Sequence, residues 1–157
     1  MATKIAVGRK VPDFSLPATG GTTWRLSKDA AGAPLVIYFY PKDMTSGCTR
    51  ESQDFRDLYA RFRRAGVQVV GISRDSIKSH EKFREKERLP FPLLSDEEEK
   101  VCRMFDVIRE KNMYGRKVMG IERSTFLIDR DGVLRREWRK VKVDGHAEEV
   151  LEAAKSL

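Results

Sequence analysis

The chain has 157 residues, 35% of them charged and 40% hydrophobic, and a formal net charge of +7 at pH 7. That length fits one domain able to bury roughly 70% of the surface its unfolded chain exposes, and no run approaches the ~18 consecutive apolar residues of a membrane span. Only two cysteines occur, Cys48 and Cys102, which excludes a secreted disulfide framework and favours a reducing, cytoplasmic setting.

Met1 to Lys10 lacks the apolar core of a signal peptide. V-P-D-F-S-L-P (Val11 to Pro17) predicts an extended entry, because its prolines forbid a long helix. Gly20-Gly21 followed by Thr22 to Leu26 predicts a small hairpin. Leu35 to Tyr40 is an unbroken apolar, β-branched and aromatic run, the pattern of a strand buried on both faces, and Pro41 ends it by removing a ladder donor. After a short polar loop a helix is expected from about Cys48 to Ala65, with Phe55, Leu58, Tyr59 and Phe62 on one stripe and Gly66 as its stop. Val67 to Ser73 reads as a second buried strand, so the unit is βαβ, with parallel pairing and a right-handed crossover.

Ser76 to Leu89 predicts a charged helix carrying Ile77, His80 and Phe83 on one side and ended by Pro90. Leu93-Leu94 fits a brief edge strand. Ser95 with Glu98 has the spacing of a capping box, placing Asp96 to Glu99 on the first turn of a helix that points Val101, Cys102 and Phe105 inward. Ile108 to Gly120, polar and with two glycines, is expected to be a functional loop. Ser124 to Ile128, the turn Asp129 to Gly132 and Val133 to Val141 form an antiparallel pair, and a helix from about Gly145 to Lys155 closes the chain. The expected architecture is one α/β domain over residues 1–157, a mixed central sheet with helices on both faces.

Cys48 is the candidate reacting group. It falls at a helix N-terminus, at the carboxyl end of a central strand, where unpaired N–H groups and the helix dipole favour a thiolate. Thr45 offers a hydroxyl on the same loop and also suits an N-cap; Pro41 both ends the strand and shields the sulfur from water. A reactive thiol needs a cation as well, and periodicity does not choose among 31 Lys and Arg. The basic clusters at Arg61, Arg63 and Arg64 and at Arg135 to Lys142 have no aromatic ladder or nucleic-acid motif beside them, so specific nucleic-acid binding is not expected. The acidic run from Asp96 to Glu99 and the D-x-D-G fragment at Asp129 lack a full ligand set, and no metal is expected. His80 and His146, each with charged neighbours, are expected on the surface.

P-K-D-M-T-S-G-C (Pro41 to Cys48), preceded by Y-F-Y and followed by T-R-E, resembles the P-x-x-x-T-x-x-C signature of peroxiredoxins, in the form used by the Q-type group or bacterioferritin comigratory proteins. The similarity continues in Val11 to Pro17, in F-P-L-L-S-D (Phe91 to Asp96) and in E-R-S-T-F-L-I-D (Glu122 to Asp129), nearly the whole chain. It implies a thioredoxin-like fold and reduction of hydrogen peroxide or organic hydroperoxides without metal or organic cofactor. It also implies Arg123 as the active-site cation, with Cys48, Thr45 and Pro41 as its companions. A thiol reductant such as thioredoxin, glutaredoxin or glutathione is the implied partner, and a monomer or small homodimer the implied state.

The chain departs from many of the group where a second, resolving cysteine stands, for those positions hold Gln53 and Arg84. Cys102 is the only internal candidate, and it also reads as a small apolar residue beside Val101 and Phe105. A one-cysteine cycle is therefore expected. Outside the family, a cysteine hydrolase would need a histidine base on the thiol, a dithiol oxidoreductase would need C-x-x-C where Thr45 stands, and a redox sensor would use the same thiol without turnover.

Overall fold

The computed structural model describes residues 5–157, so part of the Met1–Lys10 segment lies outside it. The centre is β3 (Leu35–Phe39), buried at every position. Alternate side chains serve opposite faces: Leu35, Ile37 and Phe39 enter one apolar cluster, while Val36, Tyr38 and Tyr40 enter the other. On one side β3 pairs in parallel with β4 (Gln68–Ser73), on the other antiparallel with β8 (Ser124–Ile128). With β1 (Ser15–Ala18), β2 (Thr22–Arg25), β5 (Leu93–Ser95) and β9 (Leu134–Trp138) they form a mixed seven-stranded sheet of order β2-β1-β5-β4-β3-β8-β9.

One face is covered by α2 (Ser46–Arg64), α3 (Ile77–Glu87) and α5 (His146–Lys155), through Phe55, Phe62, Phe83, Val150 and Leu151. The other carries α1 (Leu26–Asp29) and α4 (Lys100–Met104), through Leu26, Val101 and Cys102, packed with Phe14 and Phe105. The expected mixed sheet, helices on both faces and β3–α2–β4 crossover are all present. Gly66 stops α2 at φ +75, the left-handed conformation that suits glycine after a helix. Gly71 is required by a close approach: a Cβ there would come within 2.8 Å of the Tyr38 ring.

Three local expectations are corrected. β5 is not an edge strand, because β1 pairs beyond it, joining Ala18 to Leu94. The capping box does not form. Ser95 is taken by the parallel ladder opposite Ser73 and its hydroxyl donates to the Asp75 carbonyl at 2.6 Å. Sheet pairing outcompetes the local cap, and α4 starts only at Lys100, where the Asp96 carboxylate accepts the Cys102 N–H at 2.7 Å. Finally, the expected loop after Ile108 is a two-stranded sheet, β6 (Ile108–Met113) and β7 (Arg116–Ile121), joined by Tyr114 and Gly115 with φ of 54° and 79°. Two successive positive φ values are those of a type I′ hairpin turn.

Candidate active site

The site lies beyond the carboxyl end of β3. Pro41 follows Tyr40, and the chain crosses a short loop in which Met44 adopts φ 66 before Thr45 takes the N-cap position of α2. Cys48 is the third residue of that helix and is only 1% exposed. The first helical bond runs from the Thr49 N–H to the Thr45 carbonyl at 2.8 Å, so the N–H groups before it have no intrahelical acceptor and leave partial positive charge at the helix end that carries Cys48. Thr45 is exposed, and its hydroxyl does not cap the helix; it donates to the Lys42 carbonyl at 2.8 Å. Pro41 is half-buried.

Arg123 arrives from the link between β7 and β8. Its Nη2 donates to Cys48 Sγ at 3.3 Å and its Nη1 to Glu51 Oε1 at 2.7 Å. Gly47 makes room for it, since a Cβ there would lie 3.2 Å from Arg123 Nη2. Glu51 follows Cys48 by three residues and thus shares its helix face. Burial pushes the Glu51 carboxyl up to about 7, against the downward pull of the Arg123 charge and hydrogen bond. Its Oε2 has no partner among the described residues. Burial draws the Arg123 guanidinium down, but Glu51 and Cys48 more than offset this and its pKa is raised.

The loop is anchored from below. Asp43 is buried, accepting from the Tyr40 hydroxyl at 2.7 Å and the Ser79 hydroxyl at 2.8 Å, with His80 Nδ1 at 2.7 Å; its backbone N–H donates to Asp75 at 2.9 Å. His80 Nε2 faces the Leu94 carbonyl at 2.9 Å. Both ring nitrogens thus face buried oxygens, which fixes the orientation of the ring. Asp43, Asp75 and His80 bring three ligand-type atoms within 4.8 Å of one another, but those oxygens already accept hydrogen bonds from Ser79, Ser73 and the Asp43 N–H.

The AhpC/TSA family model matches residues 7–137. The chain is 55% identical over 144 residues to Peroxiredoxin Bcp of Xanthomonas campestris pv. campestris, covering 92% of this chain and 89% of that one. The belonging is decided by that identity over that span. This chain is a member of the peroxiredoxins, in the Q-type (Bcp) group. Peroxiredoxin Bcp of Bacillus subtilis is 50% identical over 153 residues, with 98% and 97% covered. A solved structure of the Xanthomonas campestris bacterioferritin comigratory protein, described for its alkyl peroxide reduction activity, superposes with a TM-score of 0.86 at 54% identity, covering 91% of this chain and 90% of that one. The fold is that of thioredoxin-like peroxiredoxins, and the chain is a thiol peroxidase.

In this peroxiredoxin Arg123 meets Cys48 Sγ, Thr45 holds the N-cap position of the helix that carries Cys48, and Pro41 opens the loop leading to it. Cys102 does not join them. It lies in the apolar cluster on the opposite sheet face, fully buried, and burial together with Asp96 pushes its thiol well above the usual range. The surface placement expected for the histidines is wrong for both. His80 is fully buried, and His146 is buried with Nε2 2.7 Å from the Thr125 hydroxyl, its pKa pushed down by burial to about 4. Neither ring hydrogen-bonds Cys48; among the described residues the polar partner of the sulfur is Arg123. Glu51, Asp43 and His80 were missed as site residues. The signals were present: a carboxyl one turn after the cysteine, and a histidine three residues before Phe83 on the apolar stripe of α3. A cleft of about 410 Å³ lined by Val11, Leu26, Leu35 and Asp129 opens at the far end of β3 and takes no part in this site.

Proposed function

We propose that the chain reduces hydrogen peroxide and organic hydroperoxides to water and alcohols through Cys48. The observation that carries this reading is the Arg123 Nη2 contact with Cys48 Sγ at 3.3 Å, at the N-terminus of α2. The Cys48 thiolate attacks the terminal peroxide oxygen; an S–O bond forms as the O–O bond breaks, and the departing oxygen takes a proton. Cys48 is left as a sulfenic acid. Arg123 and the free N–H groups of the first turn of α2 stabilise the charge moving between the two oxygens. The Thr45 hydroxyl, whose proton is engaged by Lys42, offers its lone pairs to a peroxide O–H. Pro41 keeps bulk water from the sulfur.

An external thiol from thioredoxin, glutaredoxin or glutathione recycles the sulfenic acid, for Cys102 is on the other side of the sheet. The reading needs no metal or organic cofactor, and it places the protein in the cytoplasm as a monomer or small homodimer. No helix of the described residues is long and apolar enough to cross a membrane. Peroxide consumption with a thiol reductant tests it. Cys48→Ser should abolish turnover and Cys102→Ser should keep most of it. Full activity of Cys48→Ser would refute the reading, and loss of thioredoxin-driven turnover in Cys102→Ser, with the first oxidation intact, would refute the one-cysteine cycle.

A further inference from the structure

We propose that the β6–β7 hairpin is the docking surface for an acidic protein dithiol that reduces oxidised Cys48. The inference rests on the reading of Cys48 as the peroxidatic thiol and names the partner of that site. Its starting point is Tyr114. This side chain is 100% exposed, yet it stands at a turn position with φ 54, where Asn, Asp or Gly is favoured and a bulky residue is strained. Neither turn chemistry nor core packing accounts for a tyrosine there. Met113, Val118 and Met119 on the same hairpin are also exposed. Tyrosine and methionine, with arginine, are the residue types that mark the centres of protein interfaces.

The hairpin adjoins the site. Ile121 is two residues before Arg123, and Lys111, whose Nζ donates to the Ile121 carbonyl at 2.5 Å, lies within the electrostatic reach of Cys48 and Arg123. The register pairs Lys111 with Val118 and Met113 with Arg116, so these four share one face of the hairpin, the face whose lysine reaches the Ile121 carbonyl at the hairpin base. A partner covering Tyr114 and that face lies along the element whose base, at Ile121, leads into Arg123.

Charge selects the partner. Residues 108–121 carry Arg109, Lys111, Arg116 and Lys117 against a single acid, Glu110, within a chain of net charge +7. Two copies meeting through this hairpin would set like charges against each other, whereas an acidic protein is attracted and steered. The chemistry supplies the rest. A partner thiolate attacks the sulfenic sulfur of Cys48, forming an S–S bond as the S–O bond breaks; the departing hydroxide takes up the proton given up when the partner thiol ionised and leaves as water. The partner's second thiolate then attacks its own sulfur in the mixed disulfide, releasing the Cys48 thiolate. Two electrons pass from the dithiol to the sulfenic sulfur.

The test uses thioredoxin, recycled by its reductase and NADPH, with dithiothreitol as the small dithiol for comparison. Tyr114→Asn places a favoured turn residue at the same φ and removes the anchor; Arg116→Glu with Lys117→Glu reverses the exposed charge. Each should lower kcat/KM for thioredoxin about tenfold, the loss of one interface anchor. Added salt should weaken thioredoxin use by the wild type more than by the charge-reversed variant. Dithiothreitol-driven turnover and single-turnover oxidation of Cys48 by peroxide should be unchanged, and the melting temperature of Tyr114→Asn should not fall, because asparagine is favoured at that φ. Wild-type thioredoxin kinetics in both variants, or a wild type that turns over with dithiothreitol and not with thioredoxin, would overturn the docking proposal alone. Absence of Cys48 oxidation in the wild type would overturn the peroxidatic reading and the docking proposal with it.

Discussion

Arg123 divides one guanidinium between a sulfur and a carboxyl, at 3.3 and 2.7 Å. A planar fork with two separately aimed nitrogens does this, and a lysine ammonium on a flexible stem does not. Arg123→Lys should therefore lower the rate constant for peroxide reduction by about 10²-fold, the scale of losing one preorganised donor, read from single-turnover kinetics. Glu51 makes a pH prediction. Its carboxyl titrates near pH 7 in the folded chain against 4.5 ordinarily. Between those values the folded state holds a proton that the unfolded state has released, so this group's contribution to stability falls as pH rises from about 4.5 through 7. Subtracting the urea-unfolding free energy of Glu51→Gln from that of the wild type should give a difference that declines across that window; a flat or rising difference would mean the carboxyl is already ionised throughout.

At the scale of elements, the loop from Pro41 to Thr45 is fixed by a helix that carries no reacting group. His80 of α3 meets Asp43 at 2.7 Å, with both side chains buried. Removing the ring takes a partner from two buried oxygens, Asp43 Oδ2 and the Leu94 carbonyl, and leaves a cavity, so His80→Ala should cost about 2–4 kcal/mol in urea unfolding. The alternation of β3, the stripe of α2 and the stop at Gly66 were legible in the sequence because each is a local pattern with one physical solution. Ser95 was misread because its competitor is remote in the chain: no local spacing reveals that Ser73 will pair with it. The β6–β7 hairpin was hidden because its turn is Tyr114-Gly115 and not Asn-Gly. His80 has charged neighbours along the chain, yet it lies on the same stripe as Phe83 and is buried with it. At the site, the motif residues were readable as a set, but Glu51 became visible only once Arg123 was seen to bridge it to Cys48.

Across the whole molecule the sheet separates the two cysteines. Cys48 packs with Val36 and Tyr38 on one face, and Cys102 with Ile37 and Phe39 on the other. A bridge requires Cα atoms within about 7 Å, and the sheet stands between these two side chains. The oxidised Cys48 is therefore expected to stay a sulfenic acid until a thiol arrives from outside. The most direct test is the intact mass of the wild-type protein after one equivalent of peroxide, under non-reducing conditions and without added thiol. A monomer gaining one oxygen, with the oxygen mapped to Cys48, is the predicted result; a monomer that has lost two hydrogens through a Cys48–Cys102 disulfide would contradict it.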